Sequence, residues 1–83
     1  MIPSMETTLL GHEVRRARTA LGLTFAQVSA RTGIATSTLH SIEVGEIKYP
    51  TERVLRPLAD ALEPETSYRD LALKVYGLEP ALA

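Results

Sequence analysis

The sequence predicts an all-α fold, a compact domain built from five short helices. Apolar residues recur at helical spacing along most of the chain, and no stretch shows the sustained alternation of a β-strand. Glycines and prolines divide the chain into segments of helical length. Because the chain has 83 residues, without a repeat or a long linker, residues 1–83 are expected to form one domain.

The first two helices are predicted from an apolar stripe and a capping pattern. The stripe has the spacing i, i+4, i+7 and i+11 and consists of Leu10, Val14, Ala17 and Leu21. Gly22 is expected to end the first helix as its C-cap. Thr24 and Gln27 fit a capping box, in which each side chain bonds the backbone N–H of the other residue, so the second helix is expected to start at Thr24. Gly33 is expected to end it and to form a tight turn.

The third predicted helix begins near Ala35 or Thr36 and ends at Gly45. Ala35 stands where a hydroxyl cap would be usual, so Thr36 is the candidate cap. Two apolar residues three positions apart form the inner side of this helix, Leu39 and Ile42. The second and third helices are too short to persist alone. Their order of helix, glycine turn and helix over residues 24–45 is typical of a helix-turn-helix.

Two further helices are expected in the C-terminal part. The fourth would be capped by Thr51 and would end at Glu63. Pro57 lacks a backbone N–H and therefore predicts either a kink or a helix that begins at Pro57 itself. The fifth would cover residues 67–77, with Ser67 at its start.

Composition limits the possible functions. The chain has no cysteine, which excludes a disulfide and a cysteine-based zinc site, and its two histidines alone do not make a convincing metal site. No apolar run approaches the roughly 20 residues of a membrane helix, and the N-terminus lacks the features of a signal peptide. A cytoplasmic protein without a metal, a cofactor or a membrane partner is expected. The short segment after the fourth helix leaves no room for a ligand-sensing domain, so no small-molecule ligand is expected either.

Charge is distributed unevenly along the chain, although the net charge is only −1. Residues 1–56 contain seven Lys or Arg and five Asp or Glu, whereas residues 57–83 contain two Lys or Arg and five Asp or Glu. The N-terminal part is therefore mildly basic and the C-terminal part acidic. This asymmetry permits one face of the domain to bind DNA but does not demonstrate it.

The stretch GLTFAQVSARTGIATSTLHSIEVGEIKYP, extended to VLRPLADAL, resembles the Cro and lambda-repressor-like helix-turn-helix proteins. The likeness covers about residues 10–62. Its most specific pieces are GLT, the turn glycine Gly33, and SIEVG with Glu43 and Gly45. The resemblance implies a dimeric, DNA-binding domain whose second motif helix lies in the major groove while the first braces on the backbone.

By position, the resemblance also assigns site residues. The groove-facing or base-facing positions are Thr36, Ser37, His40 and Ser41. The backbone-contacting positions are Thr24, Phe25, Thr38, Lys48 and Tyr49, although for Tyr49 we favour a ring packed on the domain. Arg18 and Glu43 match a pair that in many members forms a salt bridge under the recognition helix. Phe25 replaces a glutamine that commonly contacts a phosphate, so either docking is supported differently here or the ring stacks on sugar or faces a protein.

The expected function is a Cro-like repressor that occupies an operator of inverted half-sites on double-stranded DNA as a homodimer. The candidate dimer surface, which is also a candidate part of the core, carries Leu71, Val75, Tyr76 and Leu78. The alternative is a protein-interaction module, such as an antitoxin or an antirepressor, that reuses the fold. An enzyme is not expected, because the chain has neither a glycine-rich phosphate loop nor a cysteine nucleophile.

Overall fold

The computed structural model describes residues 8–76, and five α-helices make up its architecture. The helices are α1 (Leu9–Ala20), α2 (Phe25–Thr32), α3 (Thr36–Glu43), α4 (Glu52–Leu62) and α5 (Tyr68–Tyr76). No strand occurs between residues 8 and 76. The predicted all-α fold is therefore confirmed. The predicted cap Gly77 and the predicted dimer residue Leu78 lie outside the described residues.

Side-chain and backbone caps explain where α1 begins and ends. The hydroxyl of Thr8 accepts a hydrogen bond of 2.9 Å from the backbone N–H of Gly11. At the other end, Gly22 has a positive φ of 71°, and the N–H groups of Gly22 and Leu23 donate to the carbonyls of Thr19 and Arg18. This is a Schellman motif, which satisfies carbonyls that the helix itself leaves open. The C-cap residue is thus Leu21, one position before the predicted Gly22.

The capping box predicted for α2 is present. The backbone N–H of Gln27 donates to the hydroxyl of Thr24 over 3.1 Å, and the N–H of Thr24 donates to the Gln27 side chain over 2.8 Å. Gly33 ends α2 with a φ of 79°, a conformation that a residue with a side chain adopts at a cost. The turn between α2 and α3 therefore has the predicted form.

The start of α3 differs from the prediction. Ala35 occupies the N-cap position with an extended backbone and makes no side-chain cap, while Thr36 is already the first helical residue. The idea that Thr36 caps α3 is wrong, because a capping side chain must belong to the residue that precedes the helix. Its hydroxyl is therefore not used for capping, and Thr36 lies exposed at the first turn.

Proline does not divide α4. The helix runs without interruption through Pro57, so a helix that begins at Pro57 is ruled out. Pro57 has no N–H to donate to the carbonyl of Arg53. Because Arg53 lies at an exposed position, water can donate to this carbonyl instead. Thr51 is the N-cap residue as predicted, although its side chain makes no capping bond. Ser67 begins α5 as predicted, since its hydroxyl accepts from the N–H of Asp70.

The core is one cluster of apolar side chains from all five helices, with α1 packed against α3, α4 and α5. Leu71 and Val75 belong to this cluster and are 0% and 6% exposed. Their assignment to a dimer surface is therefore corrected: α5 packs on α1 and α4, and the domain's own core covers both side chains. Tyr76 is the last described residue of α5.

Candidate nucleic-acid interface

The outer face of α3 is polar and open to solvent. Thr36, Ser37 and His40 are exposed, whereas Leu39 and Ile42 on the opposite side are buried in the core. Ser41 is half-buried, and its hydroxyl donates to the carboxylate of Glu46 over 3.1 Å. Three of the four predicted base-facing side chains thus share an open surface, and the fourth lies at its edge with its hydroxyl already engaged.

The predicted backbone-contacting residues lie at the start of α2, on α3 and in the loop that follows α3. Thr24 is exposed at the N-cap of α2, and Thr38 is half-buried. Lys48 and Tyr49 are exposed in the loop between α3 and α4, and Tyr49 is 74% exposed. The favoured packing of the Tyr49 ring on the domain is therefore wrong, and its hydroxyl is accessible. Phe25 is half-buried like Thr38, and its ring packs against the core.

Arg18 and Glu43 form the predicted ion pair beneath α3. Arg18 Nε lies 2.6 Å from Glu43 Oε2, and Nη2 lies 3.0 Å from Oε1, so the contact is bidentate. The third nitrogen, Nη1, donates to the carbonyl of Leu23 over 2.9 Å. The side chains of Arg18 and Glu43 are only 15% and 5% exposed. The hydrogen bonds to Glu43 raise the pKa of Arg18, against the opposing effect of burial, so the guanidinium stays charged.

A glycine brings the backbones of α1 and α3 together. Gly11 is buried, and a Cβ atom built on it would lie 2.6 Å from the carbonyl oxygen of Glu43 and 2.7 Å from that of Ile42. Such distances are too short for any real Cβ atom, so only glycine fits at this position. This contact was not predicted from the sequence. The available signal was a glycine in the interior of a predicted helix, where glycine usually weakens the helix unless close packing requires it.

Phe25 connects three helices. The Arg18 guanidinium lies over its ring at 4.2 Å from the centroid, within cation–π range. The His40 ring meets it in an edge-to-face arrangement, with 5.8 Å between centroids and an interplanar angle of 81°. Phe25 therefore packs on α1 and α3 from the first turn of α2. The unusual phenylalanine is evident in the sequence, but no sequence pattern indicates these two partners.

A family model described as a helix-turn-helix domain matches residues 9–71. The chain belongs to this helix-turn-helix domain family. The match extends from the first residue of α1 to Leu71 in α5 and includes the motif predicted at residues 24–45. A search among curated proteins gave no significant match.

Charged groups of the helix-turn-helix domain differ in how far they are neutralised. Arg16 is bound to Glu13 through Nη2 at 2.9 Å, to the Glu65 carboxylate at 3.2 Å and to the Glu65 carbonyl at 2.6 Å. The hydrogen bond from Arg16 lowers the pKa of the Glu13 carboxyl, although partial burial acts in the opposite direction. In contrast, the Arg15 side chain makes no hydrogen bond or ion pair with any residue between 8 and 76.

Neither a metal-holding group nor a membrane-spanning helix is found among the described residues. Between residues 8 and 76, no group of three or more His, Cys, Asp or Glu side chains could hold a metal ion. None of the helices in the same range is long and apolar enough to cross a membrane. The outer face of α3 is an open polar surface, and its support is built from α1 and α2.

Proposed function

We propose that this helix-turn-helix domain is a sequence-specific, double-stranded DNA-binding transcription regulator, and that it is a small Cro-like repressor which acts by occupying its operator. The observation that carries the proposal is the open polar face of α3, with Thr36, Ser37 and His40 exposed above the buried Arg18–Glu43 pair. The ion pair with Arg18 and the close contact with Gly11 both hold the end of α3 against α1, and this fixes the orientation of the exposed face.

In the proposed complex, α3 lies in the major groove. A threonine or serine hydroxyl can donate to or accept from base edges, and the methyl group of Thr36 can contact the methyl group of thymine. Thr36 and Ser37 are exposed at the first turn of α3, the end that enters the groove in helix-turn-helix proteins. These two residues are therefore the proposed source of sequence preference.

Backbone contacts would come from the loop that follows α3. Lys48 supplies a positive charge and Tyr49 a hydroxyl, and both are exposed. Contacts to phosphates fix the register of a protein on the duplex but carry no sequence information of their own. Their proposed role is to hold α3 in the groove.

Homodimerisation is part of the proposal, because one helix of eight residues contacts only a few base pairs. Two copies related by a two-fold axis would double these contacts and require half-sites about 34 Å apart. Since Leu71 and Val75 are buried in their own domain, the dimer surface must use other side chains.

The test is a selection of duplexes from a random pool with the full chain, followed by binding measurements on the selected and a scrambled sequence at two salt concentrations. The expected result is an inverted repeat bound at least about 10³-fold more tightly than the scrambled duplex. Sedimentation of the complex should show two chains per duplex. If no sequence is enriched and binding stays at the non-specific level, the alternative of a protein-interaction module replaces the proposal.

A further inference from the structure

A cleft of about 270 Å³ lies beside α3, at the point where α1, α2 and α3 meet. Its lining consists of Arg15, Arg18, Phe25, His40, Glu43 and Val44. We propose that this cleft binds a phosphate of the DNA backbone through Arg15 and His40, and that Phe25 positions the His40 imidazole for this contact. The inference rests on the proposed function and moves His40 from the base-contacting residues to the backbone-contacting ones.

The charge of the cleft favours an anion. Arg18 and Glu43 neutralise each other in their bidentate pair. Arg15 is exposed and has no ion-pair partner among residues 8–76, so its positive charge faces the cleft uncompensated. A protonated His40 would add a second charge, with both ring nitrogens as donors. The charged groups that share the cleft with His40 are thus Arg15 and Arg18 from α1 and Glu43 from α3.

The position of His40 favours a phosphate over a base edge. Its ring contacts Phe25, which is the first residue of α2, so the exposed imidazole lies on the side of α3 that is next to the start of α2. The first helix of a helix-turn-helix crosses the DNA backbone, whereas the recognition helix lies in the groove. An imidazole that packs on the start of α2 therefore lies on the side where the backbone passes.

The cleft and the outer face of α3 are close enough to touch the same duplex. Thr36 and His40 are one helical turn apart on an eight-residue helix whose whole length is about 12 Å. A duplex that contacts Thr36 and Ser37 in the groove would thus pass its backbone over Arg15 and His40. This continuity selects a DNA phosphate, rather than a free anion, as the occupant.

The experiment compares Arg15→Gln and His40→Gln with the wild-type chain on the selected and the scrambled duplex, across a salt series at pH 6. Each variant should weaken both duplexes by the same factor, about 3- to 10-fold, and should lower the slope of log K against log salt by about 0.9 for one lost phosphate contact. Arg69→Gln is the matched control, because it removes an exposed positive charge on α5, outside the cleft. It should leave the slope nearly unchanged.

Phe25→Leu separates positioning from packing. If Phe25 acts through His40, Phe25→Leu should weaken DNA binding in the wild-type background and add nothing in the His40→Gln background. Phe25→Tyr, which keeps the ring, should retain binding. Equal losses in both backgrounds would show that Phe25 serves the fold alone and would overturn its positioning role. Thermal unfolding of each variant identifies any that is not folded at the assay temperature.

Three results would overturn the phosphate assignment. One is a His40→Gln variant that changes preference at a single base pair with an unchanged salt slope, since this is the signature of a base contact. Another is a slope of log K against log salt that equals the wild-type slope in both variants. The third is binding of inorganic phosphate that depends on Arg15, at constant ionic strength, while Arg15→Gln leaves the DNA slope intact. Failure of the wild-type chain to prefer any sequence would instead contradict the proposed function itself.

Discussion

Gly11 of α1 lies directly against the carbonyl oxygen of Glu43 at the end of α3, so that a Cβ atom at residue 11 would come within 2.6 Å of it. The side chain of the same Glu43 is bound by Arg18, about two helical turns further along the same face of α1. The end of α3 is therefore held by α1 through both its backbone and its side chain. The angle of the exposed face of α3 is set from outside the motif.

Gly11→Ala is expected to lower the free energy of unfolding by about 1–3 kcal/mol, because the added methyl group overpacks the contact between α1 and α3. Helix propensity alone would favour alanine by about 1 kcal/mol, so a net loss reports the clash. The measurement is urea unfolding followed by circular dichroism. His12→Ala, at the neighbouring exposed position, is the matched control and should be neutral or stabilising. A Gly11→Ala variant as stable as the wild type would show that α1 and α3 are further apart in solution.

Glu43→Gln should destabilise the domain by about 3 kcal/mol, because it leaves the guanidinium of Arg18 inside the domain without its counter-ion. We expect the lower end of the range for buried pairs, since Arg18 retains 15% of its exposure. The double change of Arg18 and Glu43 to Met should cost less than the single change, because no charge is then stranded.

Glu52→Gln is the control for the Arg18–Glu43 prediction, because it breaks the exposed pair between Glu52 and Arg56 on α4. Its unfolding midpoint should match that of the wild type, as exposed pairs contribute little. Equal effects of Glu52→Gln and Glu43→Gln would contradict the special role of the buried pair.

Acid should weaken the domain through Glu13. Its hydrogen bond with Arg16 lowers the pKa of the Glu13 carboxyl in the folded state, so this contribution to stability is present above the unfolded pKa and is lost as the pH falls through the folded one. Thermal unfolding of the wild type and of Glu13→Gln should differ at pH 7, and the difference should shrink between pH 5 and pH 3. Glu63→Gln, at an exposed position, should show no such convergence. A constant difference across this range would exclude Glu13 as the titrating group.

Ser37→Ala and Lys48→Ala should weaken DNA binding in different ways. The serine change should alter preference at one base position by about 1–3 kcal/mol, because it removes a contact to a base edge. The lysine change should weaken all sequences similarly and lower the salt slope by about one. Binding titrations on the selected duplex and its single-base variants distinguish the two. If Ser37→Ala weakens specific and scrambled DNA equally, Ser37 does not contact a base.

Local structure was predictable where it depends on neighbours in the chain. The capping box of Thr24 and Gln27 and the cap at Ser67 follow rules that involve three or four residues, and both were predicted. The correction at Thr36 arises within the same rules, because one residue separates a cap from the first helical position. The sequence also predicted an all-α fold, because the period of the apolar residues is enough to indicate helices.

Contacts between distant helices were predictable only in part. The resemblance to known regulators supplied the Arg18–Glu43 pair, which is present. The approach of Gly11 to α3 and the ring contacts of Phe25 depend on how three helices cross, and no local pattern contains that information. Leu71 and Val75 were likewise assigned both to the core and to a dimer surface. An apolar stripe does not reveal whether its own domain or a second copy covers it.

The dependence of α3 on α1 has a consequence for protein engineering. Residues 24–45, transplanted into an unrelated scaffold, would bring the exposed side chains of α3 but neither Gly11 nor Arg18. The transplanted helix would then keep its exposed side chains but lose the contacts that fix its orientation. A change of orientation at the C-terminal end of this eight-residue helix displaces its N-terminal turn, where Thr36 and Ser37 lie. The smallest part of this protein that can be transplanted with its geometry intact therefore begins at α1, the helix that precedes the helix-turn-helix motif.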